Sequence, residues 1–111
     1  MNDKSQMLKG TLEGCILQVI KSHETYGYEI SEKLKENGFP NISEGTIYPL
    51  LLRLEKNELI KGTLKNSPVG PKRKYYSLTE KGDLEIENFF INWKILEKAV
   101  HSLFSHREMQ E

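Results

Sequence analysis

A leucine-rich helical pattern runs directly into a basic hairpin between Ser43 and Gly82, and this order of elements constrains the fold more than any other feature. Apolar residues recur at helical spacing, at Ile47, Leu51 and Leu54. Ser43 precedes them and can cap the first turn, and the run ends near Asn57. Pro49 lacks a backbone donor, so we expect a local distortion of the first turns.

Two short strands follow this helix and form a hairpin. They are predicted over Ile60 to Leu64 and Lys74 to Leu78, and turn-forming residues separate them between Asn66 and Pro71. Neighbouring side chains of a strand point to opposite faces. Arg73 and Tyr75 therefore share one face, and the other face holds Lys72, Lys74 and Tyr76. We expect one of the two tyrosines to be part of the core and the other to be exposed.

Further amphipathic helices flank this segment on both sides. The spacing of apolar residues predicts a first helix from Leu8 to Ser22 and a short second helix that ends at Asn37. Thr79 can cap a long last helix. The apolar stripe of that helix advances by three and four residues, through Ile86, Phe89, Trp93, Leu96, Val100 and Leu103. Such a stripe is typical of a helix that packs against another helix.

Charge and composition restrict the class of protein. The 111 residues suit one domain, and 16 basic residues balance 16 acidic ones, so any attraction to a polyanion must be local. Positive charge is concentrated in residues 61–76, which contain five lysines and arginines and no acid. Such a basic patch beside a predicted helix-turn-helix favours binding to double-stranded DNA. Taken alone, a run of charge is more often a solvated surface.

Several other functions lack their usual motifs. The single cysteine, Cys15, excludes an intramolecular disulfide and favours a buried thiol over a redox sensor, and the three histidines lack the spacing of metal ligands. Catalytic motifs and a phosphate-binding glycine loop are absent, so we expect no enzyme, no metal and no cofactor. Because no segment has the length of an apolar membrane span, we expect a cytoplasmic protein.

The predicted fold is mostly α with a small β-hairpin, a winged helix-turn-helix followed by a long C-terminal dimerisation helix. The strings YGYEI, SEGTIYPLLLRLEKNELI and GPKRKYYSLTEKG resemble those of the PadR family of bacterial transcriptional regulators, from about Leu8 to Trp93. The resemblance implies a DNA-binding domain over residues 1–78 and a dimerisation helix over residues 79–111. It also implies a homodimeric repressor on a roughly palindromic operator.

The third helix and the hairpin are the predicted DNA-binding surface. Family members carry the same S-x-G-T-x-Y-P pattern in their recognition helix, while a solvated polar face is the alternative for a lone helix start. Arg53 and Lys56 either contact phosphate or coat the helix. The predicted contacts are Ser43, Thr46, Tyr48, Pro49, Arg53, Lys72, Arg73, Lys74 and Tyr75. The start of the helix lacks arginine and asparagine, so DNA shape is expected to contribute to specificity.

The last helix carries more apolar surface than one small domain can bury, which favours a second copy of the chain as its partner. The residues assigned to this dimer and effector region are Phe89, Trp93, Leu96, Val100, Leu8 and Leu12. Trp93 has two interpretations. It is a packing residue of the dimer interface, or it stacks on a planar aromatic effector, as the resemblance to PadR-like multidrug regulators implies.

Two functions of other classes remain as alternatives. A winged helix can serve as a protein-interaction module, in which the hairpin and last helix bind a partner and DNA plays no role. A small enzyme would instead need a buried polar cleft with perturbed acids, and the sequence does not point to one.

Overall fold

The computed structural model describes residue 8 and residues 10–109, with the backbone alone for residues 106–109. Between Leu12 and Met109 the described chain forms four helices and one hairpin. They are α1 (Leu12–Ser22), α2 (Gly27–Glu36), α3 (Glu44–Lys56), β1 (Ile60–Lys65), β2 (Arg73–Leu78) and α4 (Glu80–Met109). This order confirms the predicted fold class, a mostly helical chain with one small hairpin. The outer ends of the two predicted divisions, residues 1–7, 9 and 110–111, lie outside the described residues.

The predicted first helix is interrupted at Gly10 and Thr11. Gly10 has a φ of 87°, in the left-handed region that favours glycine, and the backbone N–H of Thr11 donates to the carbonyl of Leu8 at 3.1 Å. This turn separates Leu8 from α1, which starts at Leu12. The prediction of one continuous helix from Leu8 is therefore wrong. The apolar periodicity continues through this segment and does not reveal the turn at Gly10, where φ is positive.

The core lies between α1, α2, α3 and the inner face of the hairpin. Its buried apolar side chains include Ile16, Leu17, Ile20, Ile30, Leu34, Ile47, Leu51, Leu54, Ile60 and Tyr76. The predicted apolar stripe of α3 is thus buried, and one of the two adjacent tyrosines belongs to the core. Tyr75, its neighbour, is half-buried on the other face of β2. Burial raises the pKa of the Tyr76 phenol, so this tyrosine stays neutral in the core.

The hairpin is tied to the turn between α1 and α2. Its two strands pair antiparallel, with Ile60 opposite Leu78 and Lys65 opposite Arg73, one residue longer at the tip than predicted. An isolated bridge joins Thr25 to Tyr76, whose backbone N–H donates to the carbonyl of Thr25 at 2.7 Å. This bridge fixes the position of the hairpin relative to the helices, in addition to the chain connections at its two ends.

Pro49 lies inside α3 without ending it, since the helix runs unbroken over Glu44–Lys56. A proline at this position deprives the carbonyl of Gly45 of its helical partner. Gly45 is exposed in the first turn, so water can reach that carbonyl. The predicted distortion of the first turns is therefore small enough to leave the helix continuous.

The first half of α4 packs against α1, and the second half extends away from the core. Ile86 is buried, and Phe89 lies so close to Gly14 of α1 that a Cβ at this glycine would collide with its ring. The chain accordingly measures 59 × 29 × 22 Å. Beyond Phe89 the apolar side chains are exposed, including Trp93, Leu96, Val100, Leu103 and Phe104. A second exposed group, not predicted, lies on the other side of the helix: Leu84, Ile91 and Ile95.

The described residues contain no helix with the length and apolar character needed to cross a membrane. Within the same residues, histidine, cysteine and carboxylate side chains do not gather into a group that could hold a metal ion.

Candidate nucleic-acid interface

The outward face of α3 is opposite its buried stripe. Gly45, Pro49, Leu52 and Lys56 follow each other at spacings of four, three and four residues, and all four are exposed. Tyr48 lies beside them and is 53% exposed. The centre of this face therefore carries no charged side chain. The phenol of Tyr48 lies on its edge, and the ammonium group of Lys56 lies at its carboxyl end.

Ser43 fixes the start of α3. Its Oγ accepts a hydrogen bond from the backbone N–H of Thr46 at 3.3 Å and lies 3.2 Å from Thr46 Oγ1. This is the predicted N-cap, which satisfies one of the free donors of the first turn. Both hydroxyls are exposed, and they are within hydrogen-bond distance of each other. A ligand at this end of α3 would therefore meet two hydroxyl groups whose positions are already fixed.

An ion pair holds α3 to α1 along one flank of the outward face. The guanidinium of Arg53 donates from both Nε and Nη2 to Glu13 Oε2, with a distance of 2.8 Å for Nε. Arg53 was predicted to contact DNA or to coat the helix, and in this structure its charge is neutralised by a carboxylate of α1. The pair therefore links α3 to α1 at the protein surface.

A second ion pair holds α3 to the hairpin along the opposite flank. Lys74 Nζ donates to Glu55 Oε1 at 2.7 Å, and each of the two side chains is 31% exposed. The hydrogen bond to Glu55 raises the pKa of Lys74, so the ammonium form is favoured at neutral pH. Lys74 also lies over the ring of Tyr76 at 5.6 Å. This predicted DNA contact is therefore partly buried and paired in the isolated chain.

The other face of β2 carries a stack of aromatic and cationic groups. The guanidinium carbon of Arg73 lies 4.1 Å from the ring centroid of Tyr26, and the Tyr26 and Tyr75 rings meet edge to face at 5.3 Å. Lys65 Nζ lies 5.6 Å from the Tyr75 centroid and is paired with Glu24 at 2.5 Å. Arg73 and Tyr75 thus share a face as predicted, and their contacts bind the hairpin to the residue before α2.

Three exposed lysines near α3 and the hairpin stand apart from these pairs. Within the described part of the chain, no carboxylate forms an ion pair with the lysines concerned, Lys56, Lys61 and Lys72. Lys72 directly precedes β2, and Lys56 ends the outward face of α3. Their charges are the ones that α3 and the hairpin can offer to an anion without first breaking an internal pair.

A cleft opens between α1 and α4. Its volume is about 620 Å³, and its lining residues are Thr11, Cys15, Phe39, Phe89, Trp93, Leu96, Glu97, Val100 and His101. Burial raises the pKa of the Cys15 thiol, so the reactive thiolate is disfavoured at neutral pH. The cleft brings together four of the six residues assigned to the dimer and effector region. Of the other two, Leu8 packs partly against the core, and Leu12 is only 8% exposed and belongs to the core of its own chain.

Comparison with known proteins identifies the family. A family model described as the transcriptional regulator PadR-like family matches residues 16–88, well over half of the chain. The chain belongs to this family. A PadR-like transcriptional regulator from Bacillus cereus has 56% sequence identity and a TM-score of 0.79, covering 89% of this chain and 96% of that one. An uncharacterised protein of Lysinibacillus sphaericus is 32% identical over 99 residues, covering 87% of this chain and 91% of that protein.

A further PadR structure was solved with nucleic acid. Bacillus subtilis PadR in complex with operator DNA is 27% identical to this chain, with a TM-score of 0.67, and the match covers 74% of this chain and 48% of that longer one. The resemblance drawn from the sequence strings is thus confirmed. Since the PadR-like family is one of transcriptional regulators, the expectation that the chain is not an enzyme is confirmed by its membership.

In this PadR-like chain the predicted DNA contacts fall into three groups. Tyr48 and Pro49 lie on or beside the outward face of α3, and Ser43 and Thr46 form its cap. Lys72 is exposed and outside the ion pairs. The third group consists of side chains that already contact another side chain of the same chain: Arg53, Arg73, Lys74 and Tyr75.

Leu52 was not among the predicted contacts, although its spacing from Tyr48 and Pro49 places it on the same face of α3. Lys56, for which phosphate contact was one of two predicted roles, ends this face. The carboxylates of Glu13 and Glu55 were not predicted either, because they are distant in sequence from their partners.

Proposed function

We propose that this chain is a sequence-specific DNA-binding repressor that acts as a homodimer. The outward face of α3 enters the major groove of one half-site, and the hairpin lies along the flanking backbone. Two copies related by a two-fold axis then require a roughly palindromic operator, with half-sites about 10 base pairs or a multiple apart. An operator lies on the genome, so the proposed function is a cytoplasmic one. Residues 1–78 supply the DNA contacts and residues 79–111 the dimer contacts.

The exposed, uncharged face of α3 beside the lysine-bearing hairpin is the observation that carries this proposal. A helix in the major groove presents an exposed face to the base edges, and cations beside that face contact the phosphates. Gly45 and Pro49 carry no long side chain, Lys56 ends the face, and Lys72 is exposed directly before β2. The Bacillus subtilis relative was solved in complex with operator DNA, which supports DNA as the ligand.

The exposed half of α4 supports the homodimer. Trp93, Leu96, Val100, Leu103 and Phe104 are between 37% and 72% exposed, a continuous apolar surface that a single chain leaves in water. Burial against the same surface of a second copy removes it from water and places two copies of α3 at a fixed distance. Homodimerisation through α4 is therefore part of the proposed function.

We also propose that a planar aromatic effector binds beside Trp93. The cleft of about 620 Å³ has Phe89 and Trp93 among its lining residues, together with the polar groups of Glu97 and His101. This composition, mostly apolar with a few polar groups, is usual for a small-molecule site. A ligand that shifts α4 against α1 would change the spacing of the two copies of α3 and release DNA.

Salt dependence tests the DNA-binding proposal. Fluorescence anisotropy would follow the full chain binding to a labelled duplex from upstream of its own gene, from 50 to 200 mM salt. We expect Lys72→Ala to weaken binding to all duplexes and to reduce the slope of log K against log salt by about one. Lys98→Ala, an equal loss of charge on α4, is the matched control and should leave the slope unchanged.

Two results would contradict the proposal. Binding that is insensitive to salt, or no preference for the promoter duplex over a random one, would favour the protein-interaction module instead.

The effector proposal has its own test. Trp93 is the only tryptophan in the sequence, so its fluorescence reports directly on the cleft. Titration with planar aromatic compounds should quench or shift the emission, and the same compounds should weaken DNA binding. Unchanged emission across a varied panel would leave Trp93 as a packing residue of the dimer.

A further inference from the structure

The centre of the outward face of α3 has no polar side chain. Gly45, Pro49 and Leu52 occupy it, and the leucine is 44% exposed. The ion pairs of Arg53 with Glu13 and of Glu55 with Lys74 lie on its two flanks, and the charge of Lys56 lies at its carboxyl end. In a DNA complex of the proposed kind, the side chains nearest the base edges are therefore apolar.

Base edges differ in what they offer to an apolar side chain. In the major groove, guanine, cytosine and adenine present nitrogen and oxygen donors or acceptors, whereas thymine adds the C5-methyl group. A leucine pressed against a donor or acceptor would displace water without replacing its hydrogen bond, which is unfavourable. Contact with the thymine methyl group buries apolar surface on both sides.

We infer that Leu52, with Pro49 beside it, determines the DNA specificity of this chain by packing against the methyl groups of thymines. This inference rests on the proposed function and names the chemical feature that α3 recognises. The loss of one buried methyl contact corresponds to about a fourfold loss of affinity. Leu52 contacts the thymine methyl group, while the exposed phenol of Tyr48 is available for hydrogen bonds at the edge of the contact.

Replacement of thymine by uracil removes the methyl group alone and keeps every hydrogen-bonding position of the base. The preferred duplex is first selected from a randomised pool with the full chain, and each thymine of the half-site is then replaced singly by deoxyuridine. By fluorescence anisotropy, the wild-type chain should bind the thymine duplex about three- to fivefold more tightly at one or more positions.

The leucine is then tested by combining the two changes. In Leu52→Ala the ratio of uracil to thymine dissociation constants should fall to about one at those positions, since the partner of the methyl group is gone. Leu84→Ala removes a leucine of α4 that is 67% exposed, more than Leu52, and should keep the wild-type ratio. Circular dichroism checks that both variants are folded. The uracil series on the wild-type chain tests the methyl contact even if a variant fails to fold.

The outcomes separate this inference from the proposed function. Selective, salt-dependent binding with a ratio of one at every thymine, or with the same ratio in Leu52→Ala as in the wild type, overturns the role of Leu52. Selection of a half-site without thymine overturns it as well. Absence of any selective duplex binding refutes the proposed function, and the inference falls with it.

Discussion

Gly82 lies in the first turn of α4, directly against the backbone of Leu59 before β1. A Cβ added at this position would collide with the backbone carbonyl of Leu59, which cannot move without disturbing the start of β1. The N–H of Gly82 also donates to Thr79 Oγ1 at 3.0 Å, which caps α4. Glycine is therefore required here by close packing of two backbones.

We predict that Gly82→Ala lowers the free energy of unfolding by about 2–3 kcal/mol, the range of an overpacked core position. Urea denaturation followed by circular dichroism would measure it. Gly27→Ala is the matched control, because a Cβ at the start of α2 has open space around it and should change stability by less than about 1 kcal/mol. Equal effects of the two substitutions would show that the contact with Leu59 is unimportant.

Gly45 poses the opposite case at the start of α3. A Cβ there would meet only Ser43 Oγ, at 3.7 Å, so the fold of the single chain does not require glycine. We predict that Gly45→Ala raises the free energy of unfolding by up to about 1 kcal/mol, because alanine favours a helix more than glycine does.

The same substitution should weaken binding to the selected duplex by about 10-fold, within the range of a lost base contact. The cause would be a Cβ that holds α3 away from the groove. Anisotropy titrations and urea denaturation of one preparation would give both values. A stabilised variant with wild-type DNA affinity would argue against close approach of this helix end to DNA.

At the scale of elements, Thr25 links the turn between α1 and α2 both to the hairpin and to a carboxylate of α2. Thr25, fully buried, bridges Tyr76 through the backbone and donates from Oγ1 to Glu29 Oε1 at 2.5 Å. This hydrogen bond, and His23 Nε2 at 3.2 Å, lower the pKa of Glu29. The folded state therefore favours the ionised carboxylate, and that contribution is complete only above the ordinary pKa of 4.5.

We predict that Glu29→Gln is less stable than the wild type at pH 7 by less than about 1 kcal/mol, as for partly exposed groups. The difference should shrink towards zero as the pH falls from 4.5 through the lower folded-state pKa, because the wild-type carboxyl becomes protonated. Urea denaturation between pH 7 and 3 measures the difference. Thr25→Ser keeps the donor and should keep the pH dependence, whereas a pH-independent difference for Glu29→Gln would refute the assignment.

The elements also differ in how far the sequence alone could predict them. The bounds of α3 were predicted correctly, since the periodic apolar stripe of Ile47, Leu51 and Leu54 is a strong local signal. Gly10 was missed because apolar spacing carries no information about the sign of φ. The pairs of Arg53 with Glu13 and Lys74 with Glu55 span 40 and 19 residues, a proximity that only the tertiary fold creates. The predicted DNA contacts therefore included cations that the folded chain already neutralises.

At the scale of the whole molecule, α4 extends an exposed apolar surface beyond the core, and the proposed function requires a second copy to cover it. Leu96 is 56% exposed in the middle of this surface. A glutamate there would have to be buried without a cationic partner in a symmetric interface, where its own copy from the second chain would repel it.

We predict that the wild-type chain is a dimer at micromolar concentration and that Leu96→Glu is a monomer, as measured by sedimentation equilibrium. Ser102→Glu introduces the same charge on the other side of α4 and should remain a dimer. The monomeric variant should also bind the selected duplex far more weakly, because each half-site is then bound separately and the gain from linked binding is lost. A monomeric wild-type chain, or a dimeric Leu96→Glu, would show that α4 is not the dimer interface.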